Sequence, residues 1–190
     1  MSDQGVVFLH RLGVLPIALE RVGEAAASGL AIKKLALYEP PLLVDDSRPP
    51  APADYVQRLN DAVSAGRPGD AVEIFLTEAV RVPSDEVAGM RGTPMWPAME
   101  AIAPTLAYDG AIMEGLMAGK PLPAERIARW KAMSAPTLVI DGGASWPFMR
   151  TGADALADVL PNAQRRTLEG QTHDVNADVL APVLNGFFRG

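Results

Sequence analysis

The run "APTLVIDGG" constrains this chain more than any other stretch. Thr137 to Ile140 presents apolar or β-branched side chains at consecutive positions. Successive side chains of a strand point to opposite sides, so an unbroken apolar run needs cover on both faces. A strand of this kind belongs inside a parallel sheet, and parallel neighbours need crossover connections, which are usually helices. The residues that follow supply one, because Ala153, Leu156, Ala157 and Leu160 share a helical face. A second apolar run, Leu35 to Tyr38, stops at Glu39-Pro40-Pro41, since proline cannot donate to a ladder. Earlier still, Val6 to His10 reads as a strand, and Val14 to Ser28 carries helical periodicity that stops at Gly29.

After Ile140 the order is helix, strand, helix. Gln164 to Leu168 is polar, with Arg165 and Arg166, as suits an outer strand protected against edge pairing. Asn176 opens the last helix, whose Val179, Leu180, Val183, Leu184 and Phe187 lie at i, i+3, i+4 spacing. Between the two apolar runs lies a loop, "VDDSRPPAPAD", followed by short amphipathic helices and no recognisable strand. Asp70 and Glu73 form a capping-box pattern, Asp54 and Ser84 stand as N-caps, and further helical pieces cover Trp96 to Leu106, Ala111 to Met117 and Ala124 to Met133. The expected fold is α/β: a parallel sheet built from residues 1–45 and 134–190, with a helical cap inserted at 46–133.

Composition narrows the function. With 190 residues, 48% of them hydrophobic, the chain can fill one core. A net charge of −6 with scattered Lys and Arg gives no surface for phosphates, so nucleic acid is not an expected partner. The absence of Cys excludes disulfides and thiolate chemistry, and two His residues make a metal site improbable, so none is expected. Val6 to Leu19, the most apolar stretch near the start, is too short to span a bilayer and contains His10 and Arg11. It also lacks the clean apolar region of a signal peptide. The expectation is a soluble, cytoplasmic protein with no membrane partner.

Ligands of parallel α/β sheets meet the carboxyl ends of the strands. Three such ends are readable, and they bring Glu39, Asp141, Ser145 and His173 toward one rim. On its Gly-Gln-Thr-His loop, His173 is placed as a general base whose tautomer a neighbouring carboxylate can fix. Each residue also has a plainer reading: His173 as a loop residue bonded locally, Glu39 as a cap on the strand-end turn, Asp141 beside two glycines as a turn residue. His10, at the end of an apolar run, reads as structural.

From Glu24 to Phe188 the chain resembles the C-terminal part of an α/β-hydrolase of the esterase and lipase type. The resemblance rests on "KLALYEPP" for the sixth strand, "APTLVIDGGAS" for the seventh, and "RRTLEGQTHDV" for the last strand with its histidine loop. The helical insertion between the first two completes it. It implies that His173 is the catalytic histidine and that Glu39 holds the alternative acid position after the sixth strand. The usual acid position, just beyond the seventh strand, carries Ala144 and Ser145 here, which leaves Asp141 as the second candidate. The resemblance further implies that Trp96, Met99 and Met95 of the cap line a pocket for a small apolar or acyl ligand, with helix packing as the alternative. Ser145 lies at the same rim as a ligand contact or improvised nucleophile.

The family's nucleophile sits in a G-x-S-x-G turn ahead of the helix leading to the sixth strand. Here that stretch is "VVFLHRLGVLPIALERVGEAAASG", and nothing from Phe8 to Leu19 is Ser, Thr, Cys or Asp. Counting from Gly13 puts Arg11 at the serine position, and counting back from "EAAASG" puts Pro16 or Ile17 there. Only about five residues precede Val6, so the strands that lead to the elbow, and the oxyanion donor one of their loops carries, are expected to be missing. The resulting expectation is a truncated hydrolase-like core with weak or no ester hydrolysis and no cofactor. The alternative is a non-catalytic small-molecule binder, or a module that self-associates into a homo-oligomer through the exposed sheet edge near Val6 to His10 and Leu35 to Tyr38.

Overall fold

The computed structural model describes residues 6–9, 32–113 and 115–190, the first of these by backbone alone. The expected helix over residues 14–28, His10 and the stretch aligned with the nucleophile turn lie outside the described residues. Four parallel strands form one sheet in sequential order: β1 (Val6–Leu9), β2 (Leu35–Tyr38), β3 (Thr137–Gly142) and β4 (Ala163–Leu168). Leu35 pairs with Val6 on one side and Thr137 on the other, and Thr137 pairs with Ala163. β2 is therefore an interior strand with ladders on both sides, and of the two segments expected near an open edge only β1 has a single ladder partner among the described strands.

Every residue of β2 and β3 is buried, which is why their sequences are apolar without alternation. β4 alternates instead, with Gln164 and Arg166 exposed and only Leu168 buried. One face of the sheet carries Ala36, Tyr38, Leu138, Ile140 and Leu168, packed with Leu180 and the flanking Val183, Leu184 and Phe187 of the C-terminal helix. Against β3 and β4 also packs the helix Pro147–Val159, whose Arg150 and Asp154 reach the side chains of Asp141 and Arg165. That helix comes close enough to the loop after β2 that a Cβ on Gly152 would stand 2.4 Å from the Leu42 carbonyl oxygen. Glycine is thus required there for packing.

The chain divides into two compact units, one holding the sheet together with Gly115–Gly190, the other spanning Pro49–Glu114. In the second unit the helices are α1 (Tyr55–Ser64), α2 (Pro68–Ile74), α3 (Ser84–Met90) and α4 (Trp96–Ile112), with a π-helical segment at Phe75–Val80. Its core joins Tyr55, Leu59, Val72, Val87, Trp96 and Leu106. The capping signals resolve differently from expectation. Pro68 takes the first helical position of α2, where its missing N–H costs nothing, so Asp70 and Glu73 fall inside the helix and pair with Arg91. Asp54 precedes α1 without a side-chain cap bond, and Ser84 is the first residue of α3 after Pro83. The piece expected at Trp96 to Leu106 runs on to Ile112 in the single helix α4, and of the piece expected at Ala111 to Met117 only Ala111 and Ile112 are helical among the described residues, with turns or bends at 113 and 115–117.

Residues 115–133, expected in the cap, fall in the sheet unit. Leu43 N–H donates to the Leu116 carbonyl at 2.8 Å, and Gly119 N–H to the Leu43 carbonyl at 3.0 Å, tying this segment to the loop after β2. The helix α5 (Ala124–Lys131) follows and buries Trp130. The remaining helices of the sheet unit are α6 (Pro147–Val159) and α7 (Ala177–Arg189), the latter capped as expected by Asn176, whose side chain accepts from the Asp178 N–H.

Candidate active site

Glu39 follows β2 directly, and its N–H donates to the Ile140 carbonyl at 2.8 Å, the last rung before Pro40 and Pro41 end the ladder. Its φ is +48°, in the region that favours glycine. A non-glycine residue held there costs on the order of 1–3 kcal/mol and persists only where its surroundings impose it. Those surroundings are specific. The Glu39 side chain is fully buried, Oε1 accepts the Gly142 N–H at 2.9 Å, and Oε2 lies 2.8 Å from His173 Nδ1. A buried carboxylate is tolerable only when hydrogen-bonded, and both of its oxygens are. With Glu39 as the acceptor, His173 carries its proton on Nδ1, which leaves Nε2 as the basic nitrogen.

The loop bearing His173 is tied down on both sides of the ring. β4 ends at Leu168, and Gly170 turns the chain with φ +69°. The Gln171 carbonyl accepts the Ala144 N–H at 2.8 Å, the Thr172 carbonyl accepts the Tyr38 hydroxyl at 2.5 Å, and Gln171 Oε1 accepts the Asn176 N–H at 2.9 Å. A Cβ at Gly142 would stand 2.4 Å from the Gln171 oxygen and 2.8 Å from the Tyr38 hydroxyl, so the close approach of loop and strand needs glycine. Beside the imidazole is Trp146, its ring centroid 6.3 Å away and its side chain half exposed, with Phe148 stacked behind it at 6.4 Å. The imidazole itself is 29% exposed, so solvent reaches it.

Asp141, the second candidate acid, belongs to a different arrangement. Glu39 has turned out of its strand, whereas Asp141 remains in the alternation of β3, on the side facing α6. There Oδ1 accepts from Arg165 Nη1 and Thr167 Oγ1, each at 2.7 Å, and Oδ2 lies 3.4 Å from Arg150 Nε. Burial by itself would push this carboxyl up, but the bonds from Arg165 and Thr167, the Arg165 charge and the bond from Arg150 together hold it below its usual range. It is an ion-pair residue between β3, β4 and α6, and its oxygens make no bond to His173 among the described residues.

Ser145 N–H donates to the Gly142 carbonyl at 3.1 Å, while its Oγ is buried with no hydrogen-bond partner among the described residues, His173 included. In the helical unit, Trp96 is a core residue whose Nε1 donates to Glu100 Oε1 at 2.9 Å, and Met99 packs partly buried against the same core. Met95 is exposed. Sequence reading missed Tyr38, Gly142 and Trp146 as parts of the site. The Tyr38 hydroxyl meets a carbonyl 134 residues away, a distance no local pattern reports. Among the described residues no His, Asp and Glu side chains cluster as metal ligands, and no helix is long and apolar enough to cross a membrane.

A parallel sheet flanked by helices, with a histidine loop after its last strand and a buried acid at a neighbouring strand end, defines a hydrolase-like α/β protein. Solved structures make that class specific. An α/β hydrolase from Sphaerobacter thermophilus is 52% identical over 90% of this chain and 63% of its own, with a TM-score of 0.74. The 2-hydroxy-6-oxo-6-phenylhexa-2,4-dienoate hydrolase of a Rhodococcus strain matches 98% of this chain and 64% of its own at 20% identity and TM-score 0.55. A hydrolase from Oleispira antarctica matches 92% and 63% at 13% identity and TM-score 0.55. The chain has the fold of the α/β-hydrolase superfamily, and it spans less than two thirds of the length of these three proteins. No protein-family model and no curated protein matches the sequence.

Proposed function

We propose that the chain acts in hydrolysis of carboxylic esters, with His173 as general base and Glu39 as the acid that orients it. The observation that carries this reading is the 2.8 Å contact between His173 Nδ1 and a Glu39 carboxylate that is fully buried and braced by the Gly142 N–H. An acid that holds Nδ1–H fixes the base tautomer and stabilises the imidazolium formed when Nε2 accepts a proton. Because no Ser, Thr, Cys or Asp stands between Phe8 and Leu19, the expected turnover is slow. In that case His173 takes a proton from water as the water attacks the ester carbonyl, and returns it to the departing alkoxide, giving acid and alcohol. General-base assistance of this kind contributes about 10²–10⁴-fold.

The helical unit Pro49–Glu114 is named a cap in this reading by its place in the sequence, between β2 and β3. The ligand in this reading is a small apolar acyl group. A chain without cysteine has no need of an oxidising compartment, which supports a cytoplasmic setting. The test is hydrolysis of p-nitrophenyl acetate by the purified chain beside His173→Ala and Glu39→Gln. Turnover lost in both variants supports the proposal, and equal rates in all three remove it.

A second reading, a binding or self-associating module, is favoured by the Ser145 Oγ that makes no bond to His173 and by the single ladder partner of β1 among the described strands. Sedimentation velocity at micromolar concentration separates its self-associating form from a monomer: a dimer supports association through β1, and a monodisperse monomer excludes it.

A further inference from the structure

We infer that Tyr38 is a positioning residue for His173, its hydroxyl clamping the peptide plane from which the imidazole projects. The inference deepens the reading of His173 and Glu39 as the working pair and rests on it. Tyr38 is buried, with 2% of its surface exposed, and its hydroxyl donates to the Thr172 carbonyl at 2.5 Å. Burial, followed by the charges of Glu39 and Asp141, pushes the phenol well above its usual range, so the hydroxyl stays protonated. It acts there as a donor.

The consequence follows from peptide geometry. The carbonyl oxygen of residue 172 and the N and Cα atoms of residue 173 share one rigid plane. A bond to that oxygen restrains the plane from which His173 leaves the backbone, so that the imidazole moves only by rotation about the His173 N–Cα bond and its two χ angles. The Glu39 bond at Nδ1 fixes the far end. Two consecutive residues at the end of β2 thus hold two consecutive residues of the histidine loop. In a regular strand neighbouring side chains point to opposite faces, and this double grip depends on the chain turning at Glu39, where φ is +48°. Gly142 completes it, because a Cβ there would strike both the Tyr38 hydroxyl and the Gln171 carbonyl.

A merely structural tyrosine would affect stability and leave the imidazole unchanged, so the test reads the imidazole. The chain has two histidines, and His10→Gln assigns their ¹⁵N and ¹H signals in the 190-residue chain. The wild type is expected to show His173 as a single Nδ1–H tautomer with a slowly exchanging low-field proton, and Glu39→Gln to lose that signal. In Tyr38→Phe the proton should exchange faster by about tenfold, the scale of one lost hydrogen bond, and the ¹⁵N shifts should move toward mixed tautomers. Unchanged exchange and shifts in a folded Tyr38→Phe protein overturn the inference. Should that variant fail to fold, 3-fluorotyrosine in place of the three tyrosines makes the hydroxyl a stronger donor. A shift of the His173 Nδ1–H signal then supports the inference, and an unmoved signal overturns it. The ester assay keeps the two ideas apart: turnover indifferent to His173→Ala removes the functional reading, while the spectra alone decide the role of Tyr38.

Discussion

Glu39 and Asp141 sit at the ends of adjacent strands, and both are fully buried. They nevertheless do different things. Asp141 is surrounded by cations and a hydroxyl: Arg165 and Thr167 share Oδ1, and Arg150 approaches Oδ2. Glu39 meets one backbone N–H and one imidazole. Burial therefore does not distinguish the two acids, and the partner set does. A carboxylate saturated by guanidinium groups is committed to holding elements together. Glu39, whose side-chain partner among the described residues is a partly exposed histidine, is instead bonded to a group that still faces solvent.

The largest effect that bears on this contrast is expected in activity. Glu39→Gln should lower ester turnover by about 10²–10⁴-fold, the range for loss of an oriented base. Asp141→Asn should change it by only a few fold, roughly the noise of an altered neighbour. Parallel p-nitrophenyl acetate assays check both, and equal losses would erase the distinction between the two carboxylates.

Next in size is stability. Breaking a buried ion pair by removing one partner costs about 3–5 kcal/mol, and Arg165 keeps its second partner Asp154 at 2.8 Å, so Asp141→Asn is expected near the lower end. Urea unfolding measures it. The pH dependence follows from the lowered Asp141 pKa. A carboxyl lowered on folding contributes stability that is fully present above its ordinary value of about 4 and is lost as pH falls through the folded value. Urea midpoints of the wild type should decline below about pH 4, and the Asn variant should lack that part of the decline. Identical acid profiles would remove Asp141 as the cause. The smallest effect is expected from Thr167→Val, which deletes one of the bonds to Asp141 and should cost about 1 kcal/mol without altering turnover.

Much of this was readable beforehand, for definite reasons. β2 and β3 are buried on both faces, so their apolar runs admitted no other reading. α7 carried its start in Asn176 and its buried face in the spacing of Leu180, Val183 and Phe187. The boundary of the helical unit was less readable: residues 115–133 are punctuated by Pro and Gly like the preceding segment, and long-range contacts, among them the backbone bonds between Leu43 and Leu116 and between Gly119 and Leu43 and the packing of Met117 on the cluster of Leu43, Phe148 and Met149, place them in the sheet unit. The Asp70 and Glu73 pattern misled because Pro68 offered a better first position and Arg91, distant in sequence, offered a better partner.

For the site, sequence and resemblance brought Glu39 and His173 forward but ranked Asp141 only by its proximity to a strand end. Which way each acid points depends on the turn at Glu39 and on the alternation that Asp141 keeps. By itself, then, the sequence determined the parallel strands, the closing helices and the loop that bears His173, because these follow from local hydrophobic pattern and turn chemistry. Only the tertiary structure decided that Glu39 meets His173, that Asp141 meets Arg165, and that Tyr38 grips Thr172. Each of those bonds joins atoms whose separation along the chain is far too long for any local rule: two exist because the end of β2 is packed within hydrogen-bond reach of the histidine loop, and the third because β3 and β4 lie side by side.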